Sequence, residues 1–587
     1  MQPLTLLPEM LVKTRVARFR PHSLLWADSE FVAQQEGTGS DDDKRRALLQ
    51  RYAVGIHHTP SLQKLTFIPA SDTDAYAERY GGFGLARNGG GVRCVNLGDV
   101  QIKGIGVNAL MGADVLPGYN TGTLTITDGV METVFARVLN HAFPIGAVKA
   151  LGLIATHPTI ATHRNADVPK LAAGVPCWGA LLLRETCLRP GHLMRSMFYR
   201  VAPKHRHELP DDIVRLRQVQ RSFRAHCGGD QGFLALLGRF IHASANQFAF
   251  AKIARYAHGT ATASNMALDG RWLDLPISSF LPGNRNYRLS VHQVPFYTEQ
   301  TILDPTLVEL VYTYCKYNGV QLDVNPLLNY YHQLYKAFLH RHSSWLLGIP
   351  AELWPKPARD NTCDELVKLL LETFTQDTTL IWNSPYAFEA DDPVESVLQY
   401  LYGNTTPEGR GAQQWPRRFA NSRFWQLLQR CYAINPAAAG GPLRSFSVAC
   451  GIRALRRAYL ASFFYSGRLR TRIESLLEST DPQVFGDLIH VHDQIASWAF
   501  NDDGERVSLF ESPALSLWWS TASDAFMFQR EGEKPMVATD PLALIDHSPA
   551  AQWQLDGTDL RPMLRAMTVL ASNIERIWQQ EHLSLRA

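Results

Sequence analysis

The sequence predicts a two-lobed α+β protein with a helical C-terminal extension. Residues 76–184 are rich in glycine and in short β-type runs, whereas the pattern from about residue 205 is that of long helices. Beyond residue 300 almost every segment has a helical pattern and is broken at prolines. A strand-rich first part followed by a helical second part is typical of α+β proteins in which the two kinds of element are segregated.

The individual elements follow from hydrophobic periodicity. Apolar side chains recur at every fourth residue from Val130 to Ala142, which predicts a helix over 128–142 with Thr127 or Asp128 as its N-cap. Short apolar runs predict strands, and longer amphipathic runs predict helices. The strands are expected at 92–97, 99–103, 148–155 and 178–184, and the long helices at 209–226 and 230–257.

Composition excludes several classes of protein. Of the 587 residues 45% are hydrophobic and 19% are charged. This composition is typical of a globular protein and excludes a disordered chain and a coiled coil. The net charge of +3 is too small to indicate a nucleic-acid partner. No run of apolar residues is long enough to predict a membrane span. The eight cysteines have no CxxC spacing, so reduced thiols and a cytoplasmic location are expected.

A glycine-rich turn comes directly before the first predicted strand pair. Gly89, Gly90 and Gly91 allow close approach of a phosphate to backbone N–H groups, although a tight turn alone would also use them. Lys103 ends the second strand and Glu132 lies in the following helix. A strand lysine that meets a helix glutamate can be held in place to bind phosphate. The alternative for each of these two charges is an ordinary position on the surface.

Two arginines follow a later apolar strand. Arg184 ends the run GALLLR, and Arg189 lies five residues further along in a Pro-Gly turn. A guanidinium group at the end of a buried strand needs a partner, and its planar fork suits a phosphate. A structural ion pair with a nearby acid would satisfy the same need.

The segment 258–276 predicts a β-hairpin. Asp269-Gly270 between short apolar runs is a strong signal for a two-residue turn. That register would place Met266 opposite Leu273 and Asn265 opposite Asp274, with Cβ atoms about 5 Å apart. An amide oxygen and a carboxylate at that distance could share Mg²⁺, which takes its remaining ligands from phosphates and water. An ordinary hairpin with two solvated polar ends would need no metal.

Taken in order, these segments resemble the SelO (selenoprotein O) family over roughly residues 75–290. The family has a protein-kinase-like fold, and its known members transfer AMP from ATP to hydroxyl groups of proteins. The matching segments are YGGFG (80–84), QIKGIG (101–106), Met131-Glu132, GALLLR (179–184), LRPGH (188–192) and HGTATASNMALDGRWLDLP (258–276).

The resemblance implies a role for each candidate residue. Lys103, Arg184 and Arg189 would hold the triphosphate of ATP, and Glu132 would orient Lys103. Asn265 and Asp274 fall on the family's ligands for Mg²⁺. Residues 89–91 with Arg93 would cover the nucleotide. The chain would then divide into an N-terminal segment with the nucleotide-binding N-lobe (1–170), a C-lobe with the metal-binding hairpin (171–345) and a helical C-terminal region (346–587).

One position departs from the family. Ser264 stands where the family has the aspartate proposed as general base, and a hydroxyl does not accept a proton at neutral pH as a carboxylate does. The enzyme is then inactive, takes its base from elsewhere, or uses an acceptor that needs none. A peptide C-terminal carboxylate is such an acceptor, and its product would be an acyl-adenylate for a partner acyltransferase. The chain also loosely resembles proteins of the MchC type, which serve microcin maturation and would fit such chemistry.

The sequence therefore predicts a protein or peptide adenylyltransferase that uses ATP and Mg²⁺, with Lys103, Glu132 and Ser264 at its catalytic centre. Two alternatives remain open. A kinase-like phosphotransferase would move the γ-phosphate of ATP instead of AMP. A non-catalytic pseudoenzyme would bind nucleotide and serve as a scaffold for a partner.

Overall fold

The computed structural model describes residues 5–35, 39–82, 85, 87–115, 121–162, 176–281, 286–289, 294–354, 361–375, 380–382, 427–428, 430–431, 443–501, 504–569 and 571. Within these residues the chain has a mixed α+β fold, strand-rich in its N-terminal part and with the long helices later, as the sequence predicts.

The strands, numbered along the chain, are β1 Leu11–Arg18, β2 Ser23–Ala27, β3 Val54–Gly55, β4 Thr73–Glu78, β5 Cys94–Leu97, β6 Val100–Lys103, β7 Leu124–Thr125, β8 Ala150–Ala155, β9 Ala161–Thr162, β10 Pro176–Cys177, β11 Gly179–Glu185, β12 Tyr256–Ala257, β13 Ser279–Phe280, β14 Asn286–Arg288, β15 Leu380–Trp382, β16 Arg506–Glu511, β17 Leu515–Ser520, β18 Ala525–Arg530, β19 Met536–Val537, β20 Gln554–Leu555 and β21 Thr558–Asp559. The α-helices are α1 Ser29–Ala33, α2 Asp41–Tyr52, α3 Ile126–Ala142, α4 Asp212–Cys227, α5 Asp230–Ala254, α6 Leu303–Asn318, α7 Asn325–Leu346, α8 Asn361–Thr375, α9 Leu443–Leu460, α10 Ser466–Ser475, α11 Gln483–Phe500 and α12 Pro541–His547.

A nine-stranded antiparallel sheet organises the described N-terminal part. Its order is β2-β8-β11-β6-β5-β4-β1-β3, and β7 pairs with β11. The predicted strand pair around Gly98 is the β5–β6 hairpin, whose tight turn uses a positive φ of 62° at Gly98. In the centre of the sheet β6 lies beside β11, and Gln101 faces Arg184. The predicted strands at 148–155 and 178–184 are therefore confirmed as β8 and β11.

Strand β11 also bears on the predicted division of the chain. The boundary between residues 170 and 171 lies outside the described residues. Because β11 begins at Gly179 and pairs with both β6 and β8, the strand-rich unit continues beyond residue 170.

Helix α3 packs across the sheet and carries Glu132. The predicted helix is confirmed, but its N-cap is Thr125, whose Oγ1 accepts a hydrogen bond from the backbone N–H of Asp128 at 3.1 Å. Most of the helix is buried, including Val130, Val134 and Val138. Burial on nearly all sides makes α3 a rigid support for its polar residues.

The second part is helical around a short polar loop. The predicted long helices are confirmed as α4 and α5, but α5 ends at Ala254 rather than at the predicted residue 257, because Arg255 caps it in a left-handed conformation with φ of 57° and Tyr256–Ala257 forms β12. The loop that follows is closed by the short pair β12–β13. It brings Asp274 against Lys103 at the end of β6, and Leu268 N donates to the carbonyl of Leu188, which follows β11.

The C-terminal part is not wholly helical. Helices α9, α10 and α11 are followed by an antiparallel sheet of four strands, β16–β19, within the described residues. The prediction of a helical region over 346–587 is wrong for this segment, because the buried run from Val507 to Phe510 forms β16 and pairs antiparallel with β17. Among the described residues, no helix combines the length and apolar character needed to cross a bilayer.

Candidate active site

A lysine between two carboxylates forms the centre of the site. Lys103, at the end of β6, donates from Nζ to Glu132 Oε2 at 2.6 Å and to Asp274 Oδ1 at 2.5 Å. These three residues lie up to 171 positions apart in the sequence. The side chains of Lys103 and Glu132 are each 4% exposed, whereas that of Asp274 is 39% exposed. The lysine is thus held from the interior by α3 and faces open space on the side of Asp274.

Arg184 supports the same glutamate from the neighbouring strand. Its guanidinium donates to Glu132 Oε1 through Nη1 and to Gln101 Oε1 through Nε at 2.7 Å. The β6–β11 register brings Gln101 and Arg184 side by side. Glu132 therefore has one cation on each carboxylate oxygen, which fixes both Lys103 and Arg184.

Arg189 joins the strand-rich part to the loop. Its Nη1 donates to the backbone carbonyl of Ser264 at 2.9 Å, and its guanidinium lies 4.8 Å from the ring centroid of Tyr80. Glu78 lies 3.4 Å from Nη2. Arg189 is 2% exposed, and its Nε has no hydrogen-bond partner among the described residues. A buried cation with an unused donor suits an anionic ligand.

Glu78 provides the charge that balances Arg189. Burial acts to raise the pKa of this carboxyl, but Arg189 and His192, whose Nε2 lies 3.4 Å from Glu78 Oε2, outweigh it and lower the pKa to about 2. Asn96 donates to Glu78 Oε1 at 3.1 Å, and Gln101 donates to the same oxygen. Glu78 is therefore ionised at neutral pH and is committed to structural partners.

The predicted hairpin forms with a different register. Ala267 N donates to Arg271 O at 2.8 Å and Met266 bridges Trp272, which makes the connection a three-residue loop rather than the predicted two-residue turn. Gly270, with φ of 93°, supplies the left-handed residue that closes such a loop.

The shift by one residue changes the predicted metal-ligand pair. Asn265 O accepts from Leu273 N at 3.1 Å, so Asn265 is not directly opposite Asp274. Asp274 adopts a left-handed φ of 63°, an uncommon conformation for a residue other than glycine. This local turn redirects the chain, and both side chains still line the same cavity.

Asn265 and Asp274 have the donor chemistry that Mg²⁺ requires. Asn265 Nδ2 donates to Thr260 O at 2.9 Å, which fixes the amide and leaves Oδ1 as its acceptor. Burial acts to raise the pKa of Asp274, but Lys103 and Arg93 hold it well below its usual range. One amide oxygen and one ionised carboxylate fit a hard cation that takes further ligands from phosphates. No cluster of three or more His, Cys, Asp and Glu that could bind metal occurs among the described residues.

Ser264 is buried and hydrogen-bonded. Its Oγ lies 2.8 Å from Thr262 Oγ1 and donates to Asn265 Oδ1 at 3.4 Å, and the residue is 5% exposed. Nothing in these contacts would remove its proton. Ser264 thus positions the loop and the Asn265 amide, whereas the catalytic role predicted from its place in the motif remains a proposal.

The backbone N–H groups of Gly89 and Gly91 are not free to bind phosphate, contrary to the prediction for the glycine-rich turn. Gly89 N donates to Leu110 O at 2.9 Å, and Gly91 N donates to Glu78 O at 2.9 Å. A Cβ on Gly89 would lie 2.6 Å from the Tyr199 ring, so packing accounts for this glycine. Gly90 and Gly91 line the cavity, but Gly89 does not.

These residues surround one cavity of about 170 Å³. Its lining combines both parts of the chain. The described lining residues are Tyr80, Leu85, Asn88, Gly90, Gly91, Val92, Arg93, Cys94, Lys103, Thr121, Gly122, Thr123, Arg184, Arg189, Ser264, Asn265 and Asp274. Arg93 donates to Thr123 O at 3.0 Å, and Glu132 lies behind Lys103 rather than on the surface of the cavity. Of the YGGFG segment, Phe83 and Gly84 lie outside the described residues.

Three further residues support the site and belong to no motif that predicts it. Glu78 and Gln101 anchor the arginines from below, and Glu299 accepts hydrogen bonds from the backbone N–H groups of His258 and Gly259 at 3.2 and 2.7 Å. Burial raises the pKa of Glu299 to about 7. A polar Gln101 inside the apolar strand VQIK was the one local signal of a buried hydrogen bond.

Comparison of the sequence with protein-family models gives no match, and comparison with curated proteins gives none either.

Proposed function

We propose that this protein is an ATP- and Mg²⁺-dependent nucleotidyltransferase of SelO-like, protein-kinase-like architecture that transfers AMP to a protein or peptide acceptor. The observation that carries the proposal is the convergence of Lys103, Arg184, Arg189, Asn265 and Asp274 on one cavity. An oriented lysine, arginine forks and a pair of oxygen ligands are the parts that bind a metal-bound polyphosphate.

The charges of the cavity support a triphosphate ligand. Arg93, Lys103, Arg184 and Arg189 bring four cations to its wall, and Asp274 is the single carboxylate among the described lining residues. Bound Mg²⁺ would neutralise charge on the phosphate oxygens. Asn265 and Asp274 would hold the ion, and Lys103, which now contacts Asp274, would turn toward phosphate while Glu132 retains it. Gly90 and Gly91 would lie beside the nucleotide.

The acceptor we favour is a carboxylate. Asp274 is fully ionised and bonded to Lys103, and Ser264 carries no charge, so no described residue of the lining is placed as a general base. A carboxylate is already ionised at neutral pH. Its oxygen would attack the α-phosphorus, the bond from that phosphorus to the bridging oxygen would break, and pyrophosphate would leave without any proton transfer. Positioning and charge stabilisation would then supply the catalysis.

The product of this reaction would be an acyl-adenylate at the C-terminus of a peptide. Such a mixed anhydride reacts readily with hydroxyl or amine nucleophiles, so a partner acyltransferase would be a suitable consumer. The loose resemblance to MchC-type proteins of microcin maturation fits this chemistry.

The first experiment separates AMP transfer from phosphate transfer. The purified protein is incubated with Mg²⁺, a mixture of synthetic peptides and ATP labelled at either the α- or the γ-phosphate. We expect acceptor label from α-labelled ATP only, and we expect its loss in Asp274→Ala. Asp269→Ala is the matched control, because Asp269 lies in the same loop, pairs with Arg271 and is outside the cavity lining. Transfer of γ-label would instead establish a phosphotransferase, and absence of both labels would favour the scaffold.

The second experiment identifies the acceptor group. Formation of an acyl-adenylate is reversible, so labelled pyrophosphate should enter ATP in the presence of peptides that end in a free carboxylate. The same peptides with C-terminal amides are the control and should support no exchange. Labelling that depends on hydroxyl side chains and is equal for both peptide sets would contradict the carboxylate assignment.

A further inference from the structure

Two exposed apolar pairs lie beside the cavity and are not explained by folding. Met197 and Phe198 are each 66% exposed, and Ile213 and Val214 at the start of α4 are 40% and 45% exposed. We call these four residues the docking patch. Exposed apolar side chains that occur together mark contact surfaces more often than isolated ones do.

A buried hydrogen bond joins the two halves of the patch. Ser196 N donates to Asp212 Oδ2 at 2.7 Å, and Asp212 also accepts from Arg215 Nε at 2.7 Å. Ser196 immediately precedes Met197, and Asp212 immediately precedes Ile213. The two exposed pairs therefore start from neighbouring points on a rigid base.

The same base is attached to the wall of the cavity. Ser196 Oγ donates to Asn88 O at 2.7 Å, and Asn88 is one of the cavity-lining residues. The ring of Tyr199, which follows the exposed pair, packs on Gly89. Beyond it, Ala113 N donates to Arg200 O at 3.0 Å. The base of the patch is thus one hydrogen bond away from a residue that lines the cavity.

The surroundings of the patch are basic. Between residues 195 and 221 six exposed side chains are cationic and only two, Glu208 and Asp211, are acidic. The exposed cations are Arg195, Arg200, Lys204, Arg206, Arg217 and Arg221. The chain as a whole has a net charge of only +3, so this is a local concentration of positive charge. Such a surface favours a partner with acidic residues.

We propose that the docking patch binds the acceptor as an extended peptide segment that combines apolar with acidic side chains, and that it directs the segment's terminal carboxylate into the cavity. This rests on the function proposed above. Apolar side chains of the peptide would cover Met197, Phe198, Ile213 and Val214, and its acids would lie near the arginines. Attachment of the patch to Asn88 favours a substrate segment over an anionic membrane surface, which has no end to insert.

Direct binding tests the patch without any catalysis. A fluorescent peptide rich in Glu, Leu and Phe with a free C-terminus is titrated with protein, and its anisotropy is measured. The double variant Met197→Ser/Phe198→Ser should weaken binding by about tenfold. Val308→Ser/Tyr312→Ser removes apolar side chains that are 44% and 60% exposed on α6 and should leave binding unchanged. A peptide with Lys in place of Glu should bind at least about tenfold more weakly.

The labelling assay then separates the two proposals. With α-labelled ATP, the patch variant should raise KM for the peptide and leave KM for ATP unchanged. Peptide binding that needs the patch, without transfer of AMP, would retain the docking surface and reject the proposed function. Transfer of AMP with an unchanged peptide KM in the patch variant would reject the docking surface alone. Binding of vesicles of anionic phospholipid that is lost in the patch variant, with no peptide binding, would also overturn it.

Discussion

Asp493 of α11 forms a two-pronged ion pair with Arg137 of α3, the helix that carries Glu132. Arg137 Nε lies 2.7 Å from Asp493 Oδ1 and Nη2 lies 2.9 Å from Oδ2. His141, one turn further along α3, lies 2.9 Å from Oδ1. Burial acts to raise the pKa of Asp493, but His141 and Arg137 hold it well below its usual range. The C-terminal part of the chain thus supports the back of the helix that orients Lys103.

We expect Asp493→Asn to weaken both stability and transfer. The pair is about one-fifth exposed, so loss of its charge should cost about 1–2 kcal/mol of unfolding free energy. A looser α3 would position Glu132 less well, and AMP transfer should slow. Urea unfolding and the α-label assay measure the two effects. Asp487→Asn, at an exposed position of the same helix, should change neither, and equal effects of the two variants would refute the bracing role of Asp493.

Glu78 should make the unfolding free energy depend on pH in the acid range. Its carboxyl pKa falls from an ordinary 4.5 to about 2 in the folded protein. A lowered folded-state pKa gives stability that is present above about pH 4.5 and is lost as pH falls toward 2. Glu78→Gln should therefore lower the unfolding free energy by on the order of 3 kcal/mol at neutral pH. The difference from the unmodified protein should shrink at about pH 3, and a constant difference in urea midpoints would disagree with this assignment.

The elements of this site could be predicted from sequence because their signals are local. A short β-type run marks the strand that ends at Lys103, and apolar residues at every fourth position mark the helix with Glu132. Chain order then indicates that these residues belong to one site. The close approach of Lys103 to Asp274, 171 residues away, was expected only through the resemblance to a family.

Other features depend on tertiary contacts that leave little trace in the sequence. The loop at Asp269-Gly270 has three residues because Gly270 adopts a left-handed φ and packs against Ala243 of α5. A turn dipeptide does not reveal that neighbour. The sequence predicts helix where the structure has the sheet β16–β19, since short apolar runs are compatible with either element. Glu78 was missed because its partner Gln101 lies 23 residues away.

Gly89 tests whether the glycine turn serves packing or nucleotide. A Cβ on Gly89 would lie 2.6 Å from the Tyr199 ring, so Gly89→Ala should lower the unfolding free energy by about 1–3 kcal/mol. In the background Tyr199→Ala the same change should cost almost nothing, because the clash is gone. The affinity of each of these variants for MgATP is then measured by calorimetric titration. If the double variant binds MgATP more weakly than Tyr199→Ala alone, the result would support the predicted contact between Gly89 and the nucleotide.

The proposed carboxylate acceptor depends on the absence of a base at Ser264. Its buried side chain lies beside Asn265, and its carbonyl accepts from Arg189 at 2.9 Å. An aspartate here would be ionised at neutral pH, since an ordinary carboxyl titrates near pH 4 and the cations that line the cavity would favour the anion against the effect of burial. It would be the base that the lining otherwise lacks. Ser264→Asp should therefore add labelling of peptides that carry hydroxyl groups and C-terminal amides.

The matched variant Ser264→Asn has nearly the same shape without the charge and should gain no hydroxyl labelling. A general base contributes about 10²- to 10⁴-fold to rate, so the gain in Ser264→Asp should be large enough to detect with α-labelled ATP. Activity toward free carboxylates should persist, because that reaction transfers no proton. Hydroxyl labelling by the unmodified protein at a rate equal to that of Ser264→Asp would show that the site already has a base. The carboxylate acceptor would then lose its main support.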